Sequence, residues 1–70
     1  MKGDVQFLKQ EDGFILKVRK SCQASIAETW LAQKWGIETA FKFGRSWYSA
    51  TLPANLPPAL EYKLRVRARQ

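Results

Sequence analysis

Side-chain catalysis needs an activated nucleophile, a pair of carboxylates with divided roles, or a metal, and this chain is poorly supplied with all three. It contains no histidine and a single cysteine, Cys22. Neither a Ser-His-Asp nor a Cys-His system can therefore be assembled, and one thiol without histidine cannot make a zinc site. Of the carboxylates Asp4, Glu11, Asp12, Glu28, Glu38 and Glu61, only Glu11 and Asp12 are adjacent, in a turn-like stretch where acidic residues are ordinary. The glycines stand singly at turns and caps and form no phosphate-cradling loop. The expectation is a protein that is not an enzyme, carries no cofactor or metal, and acts by binding. Cys22 reads as a small buried or half-buried residue near a helix start.

What remains is ionic and aromatic chemistry. Twelve Lys+Arg stand against six Asp+Glu, a formal net charge of +6, which argues for an acidic partner. Seventy residues make one small basic domain spanning 1–70. A disulfide within it is impossible, so stability must come from packing or from self-association, and a homodimer is a possible outcome. The opening Met1-Lys2-Gly3-Asp4 is followed by no apolar run long enough for a signal peptide or membrane span. An unpaired cysteine suits a reducing cytoplasm.

Turn chemistry and periodicity set out the elements. Val5 to Lys20 reads as a hairpin closed on Asp12-Gly13, pairing Glu11 with Phe14, Lys9 with Leu16 and Phe7 with Val18. A helix follows, from Ser25 or Cys22 through Trp35, with Ser25 and Glu28 as a capping box, Ser21 as the rival cap, and Gly36 as its stop. Ile26, Ala27, Trp30, Leu31 and Trp35 share one side of it. Trp35 is either core or an exposed docking anchor. Ile37 to Leu52 reads as a second hairpin, closed on Gly44-Arg45 as a type II′ turn, which pairs Phe41 with Tyr48 and Lys42 with Trp47.

Pro53, Pro57 and Pro58 make Pro53 to Ala59 a loop. Leu60 to Arg69 then alternates strictly, with Leu60, Tyr62, Leu64, Val66 and Ala68 on one side and Lys63, Arg65, Arg67 and Arg69 on the other. That is the pattern of a half-buried strand. The chain shows no internal repeat. The expected fold is α+β, a two-layer ββαβββ domain with one helix packed on a mainly antiparallel sheet; the alternative is a small, partly closed β-barrel with one inserted helix.

In this arrangement Phe7, Leu16, Val18, Trp30, Leu31, Phe41, Tyr48, Leu64 and Val66 share one core. The outer sheet face gathers Lys17, Arg19, Lys42, Trp47, Lys63, Arg65, Arg67 and Arg69, with Leu8 and Ile15 as apolar members. A basic sheet bearing an indole is suited to nucleic acid, RNA or single-stranded DNA above all, because bases stack on aromatic rings while cations meet phosphates. Duplex readout is disfavoured, since the one expected helix is apolar. Two plainer readings stay open: the cations merely solvate a strand face, and Trp47 merely covers Lys42. The alternative function is a protein–protein adaptor, accessory subunit or inhibitor that docks on an acidic partner.

Overall fold

Alternation of apolar and polar residues decides the two hairpins. The computed structural model describes residues 3–69; Met1, Lys2 and Gln70, and with them the start of the opening segment, lie outside it. Val5–Gln10 (β1) and Gly13–Val18 (β2) form the first hairpin, followed by the helix Ser21–Trp35 (α1). Lys42–Gly44 (β3) and Trp47–Pro53 (β4) form the second, followed by the helix Pro58–Arg69 (α2). The four strands make one antiparallel, unclosed sheet in the order β1-β2-β4-β3. Phe7, Phe14, Leu16 and Leu52 from one sheet face meet Leu31 of α1 and Leu60 and Leu64 of α2 in a single core. The fold is α+β, open rather than barrel-like. Among the described residues no helix is long and apolar enough to cross a membrane.

The last element departs most from expectation. Leu60 to Arg69 is the body of α2 and not a strand, so the order is ββαββα and two helices cover the sheet. An alternating run also contains an i, i+4, i+8 series, and here Leu60, Leu64 and Ala68 supply the helical stripe that packs on the core. Tyr62 and Val66, due to face inward from a strand, do not: Tyr62 is 67% exposed and Val66 is half-buried outside the core cluster. Pro58 opens this helix instead of blocking it, because a first-turn proline lacks only an N–H that has no intrahelical partner anyway. Glu61 Oε2 accepts from Arg65 Nη2 at 2.8 Å across one turn, and Arg67 and Arg69 lie in the last turn, where cations suit the helix dipole.

Both hairpins close two residues away from the expected pairing. In the first, Gln10 pairs with Gly13, Lys9 with Phe14 and Phe7 with Leu16, around Glu11-Asp12. In the second, Gly44 pairs with Trp47 and Phe43 with Tyr48, around Arg45-Ser46. A slip of two leaves every side chain on its expected face, since the strand period is two. The second turn has positive φ at both central residues, 53° at Arg45 and 71° at Ser46, as a type I′ turn requires. An L-residue pays about 1–2 kcal/mol in that region. Ser46→Gly should therefore stabilise the domain by about 1 kcal/mol, seen as a higher urea midpoint at unchanged slope; an unmoved midpoint would show that the turn carries no such strain.

The first helix begins at Ser21, and the Ser25–Glu28 capping box does not form. Gln23 Oε1 accepts from the Lys20 N–H at 3.3 Å, while Glu28 Oε2 reaches out of the helix to accept the Phe41 N–H at 2.7 Å. That bond, with Thr39 Oγ1 donating to the Thr51 carbonyl at 3.0 Å, fixes the segment between α1 and β3 without ladder pairing, which is why β3 is shorter than expected. Gly36 stops α1 as expected, with φ 68° and its N–H bonded to the Ala32 carbonyl at 3.2 Å. Trp35 is no exposed anchor: it is half-buried against the core, edge-on to Trp30 with ring centroids 6.2 Å apart. Ile26, expected on the core side, is 69% exposed, and Cys22 is exposed rather than buried. Of the expected core, Phe7, Leu16, Leu31 and Leu64 are central, Trp30 and Phe41 pack against them, and Val18 is buried. Tyr48 is half-buried against exposed Phe43, with ring centroids 4.8 Å apart.

There is also a repeat that residue identities conceal. The chain is ββα twice, and the mirrored order β1-β2|β4-β3 about the antiparallel β2·β4 pair is what a two-fold axis normal to the sheet requires. Superposing the Gln10–Gly13 pair on Gly44–Trp47 sets Phe14 on Tyr48, Leu16 on Ala50 and Val18 on Leu52. Little else in the two halves matches, so composition alone shows nothing.

Candidate nucleic-acid interface

With both helices on one face, the other face of the sheet is open. Register puts Gln6, Lys17, Ser49 and Lys42 on one rung across all four strands, and Leu8, Ile15 and Thr51 on the next but one. Arg19 lies just past β2, where its N–H donates to the Asp4 carbonyl at 3.1 Å. This continues the β1·β2 pairing and brings Arg19 level with Trp47.

Trp47 organises this face. The Arg19 guanidinium carbon sits 4.5 Å from the indole centroid and Lys17 Nζ sits 5.6 Å from it. The indole thus gathers two cations from the neighbouring strand and does not cover Lys42, its expected partner. Contacts of this kind contribute about 0.5–1 kcal/mol at exposed sites. The single ion pair among the described residues is Arg65 with Glu61, so Lys17, Arg19 and Lys42 are held without a carboxylate to neutralise them.

The expected eight-residue site is divided. Lys17, Arg19, Lys42 and Trp47 come together on the open face as expected. Lys63, Arg65, Arg67 and Arg69 do not join them, because α2 lies on the opposite layer. On a helix an alternating series falls into two i, i+4 stripes flanking the core stripe. Arg65 reaches over the Phe7 ring at 5.6 Å on one flank, while Lys63 and Arg67 turn towards α1 on the other. Arg45 has no place in the face inventory read from sequence; the structure sets it in the turn beside the Gly44–Trp47 pair. Only the true turn register could have revealed it. No set of three His, Cys, Asp or Glu among the described residues is grouped to hold a metal ion.

No protein-family model, curated protein or solved structure matches this chain.

Proposed function

We propose that this is a nucleic-acid-binding module that works by binding and not by catalysis, with RNA or single-stranded DNA lying on the open sheet face. One observation carries the reading: the Arg19 guanidinium carbon lies over the Trp47 ring, 4.5 Å from its centroid, on an uncovered sheet. An indole with a guanidinium over it pairs an aromatic face with a cation, and both groups are used in single-strand recognition. Lys17, Lys42 and Arg45 stand around that platform for phosphates. The basic helix revises the case against duplex readout without reversing it. Its cations occupy two flanks, one of them engaged with Glu61 and Phe7, and so make no single recognition edge. An exposed lone thiol fits a cytoplasmic setting.

The adaptor reading is the second, favoured by Leu8, 48% exposed beside half-buried Ile15 on the same face. There a copy of the chain or an acidic protein would settle.

Salt titration separates the two. Contacts from Lys17, Lys42 and Arg45 should give a log affinity against log salt slope of about −2, at roughly −0.7 per phosphate. Lys42→Ala should reduce that slope by about 0.7. Trp47→Ala should lose about 1–3 kcal/mol and leave the slope nearly unchanged. Arg19→Ala and Trp47→Ala should be non-additive, since they remove one shared contact, and Arg69→Ala should have little effect. Binding weaker than millimolar at low salt to every strand tried, or indifference to both Arg19→Ala and Trp47→Ala, overturns the nucleic-acid reading.

A further inference from the structure

The two helices do not close over the sheet. Between them lies an open groove of about 470 Å³, floored by Leu16 and Val18 of β2. Ile26, Ala27 and Trp30 form the α1 wall, and Leu64 with Lys63 and Arg67 forms the α2 wall. The volume falls within the range of small-ligand sites. Ile26, two-thirds exposed on a helix whose Trp30, Leu31 and Trp35 pack against the core, is the lip of this groove.

Its chemistry is one-sided. Among the described residues the polar lining, apart from Gln23, consists of Lys63 and Arg67, with no carboxylate. These two cations stand one turn apart on the same helix, an arrangement that destabilises a helix unless an anion lies between them. Arg65, two positions from each of them and on the other flank, has its carboxylate in Glu61; Lys63 and Arg67 have none among the described residues. The groove is also short. Gln23 to Trp30 spans about 10 Å of helix and Lys63 to Arg67 about 6 Å, at 1.5 Å per residue. The α2 wall is thus only about one turn long, too little to clasp a docked helix, whose anchors recur over about two turns.

We propose that this groove binds a small single-chain carboxylate, its chain along Leu16, Val18, Ala27 and Trp30 and its head between Lys63 and Arg67. The site is on the opposite layer from the open sheet face and does not depend on what binds there. Recognition has two separable parts: apolar burial, which scales with chain length, and the charge pair, which reads the head group.

Titrating the isotope-labelled chain with octanoate, decanoate and dodecanoate below their micellar concentrations, followed by amide shifts, tests both parts. Perturbations should centre on Ile26, Ala27, Trp30, Leu64 and Arg67, and affinity should tighten about fourfold per added methylene until the groove is filled. Decyltrimethylammonium, with the same chain and the opposite charge, should bind at least about tenfold more weakly than decanoate. This comparison needs no variant. In Lys63→Gln/Arg67→Gln, two exposed substitutions with the fold checked by the spectrum itself, that preference should vanish while the chain-length dependence remains. Shifts centred on Leu8 and Trp47, equal affinity for both head groups, or no binding before micelles form each overturns the proposal.

Discussion

Leu60→Ala should lose about 2–5 kcal/mol of stability, and Val66→Ala well under half of that. Leu60 is completely buried, as is Leu31 across the core, whereas Val66 lies half-buried beyond the cluster. A chain of 70 residues holds a total of only about 3.5–10 kcal/mol, at 0.05–0.15 per residue, so the larger loss leaves much of the population unfolded. Urea titrations of the two variants at matched slope decide it. The comparison also tests the conformation of the last element directly. In a strand both side chains would share the inner face and their truncation would cost similar amounts; on a helix Leu60 sits in the buried stripe and Val66 does not. Equal losses would restore the strand.

That element shows where the sequence is ambiguous. Leu60-Glu61-Tyr62-Lys63-Leu64-Arg65-Val66-Arg67-Ala68-Arg69 meets the strand template at every position, and only a subset of it meets the helix template. Long residues such as Leu, Glu, Lys and Arg favour helices, and Glu61 four positions before Arg65 is a helix pair. These local preferences outweighed the alternation, because the four-stranded sheet needs a second cover over Phe7 and Phe14, stacked at 5.0 Å, and α2 supplies it. The two hairpins were far more legible. Their registers slipped, yet by two residues each, so Phe14, Leu16 and Val18 still face the core and Lys17 still faces out.

The candidate site was legible in proportion. Lys17, Arg19, Lys42 and Trp47 depend only on strand parity, which the hairpins preserve, and they meet on the open face. Lys63, Arg65, Arg67 and Arg69 depend on the period of the last element, and with the period wrong they scatter to two flanks of a helix on the other layer. The contact of Arg19 with Trp47 was hidden for a different reason. It arises from the β2·β4 pairing, which brings together strands separated by α1, and no local turn signal encodes which strands become neighbours.

Gly13→Ala should be the most damaging glycine substitution, and Gly44→Ala close to silent, although both residues look alike as turn glycines in the sequence. A Cβ at Gly13 would lie 2.2 Å from the Leu52 carbonyl oxygen, a backbone atom, at a φ of 156° that side chains rarely adopt. Leu52 cannot yield easily, because it pairs with Phe14 in the β2·β4 ladder and its own side chain is in the core. Overpacking of this kind costs about 1–3 kcal/mol where side chains can adjust, and a rigid carbonyl puts the expectation at the upper end or beyond. At Gly44 a Cβ meets nothing within 4 Å and φ is not positive, so the change should stay within about 0.5 kcal/mol. Because the clash is at the Leu52 end of the ladder and Trp47 is at the other, Gly13→Ala protein that remains folded should hold Arg19 on the indole and bind through the open face as before. A thermal or urea midpoint that drops for Gly13→Ala alone supports this close approach of β2 to β4. Equal midpoints for the two variants would mean that the strands have room to part at Gly13, and that the ladder joining the two ββα halves is looser there than its register implies.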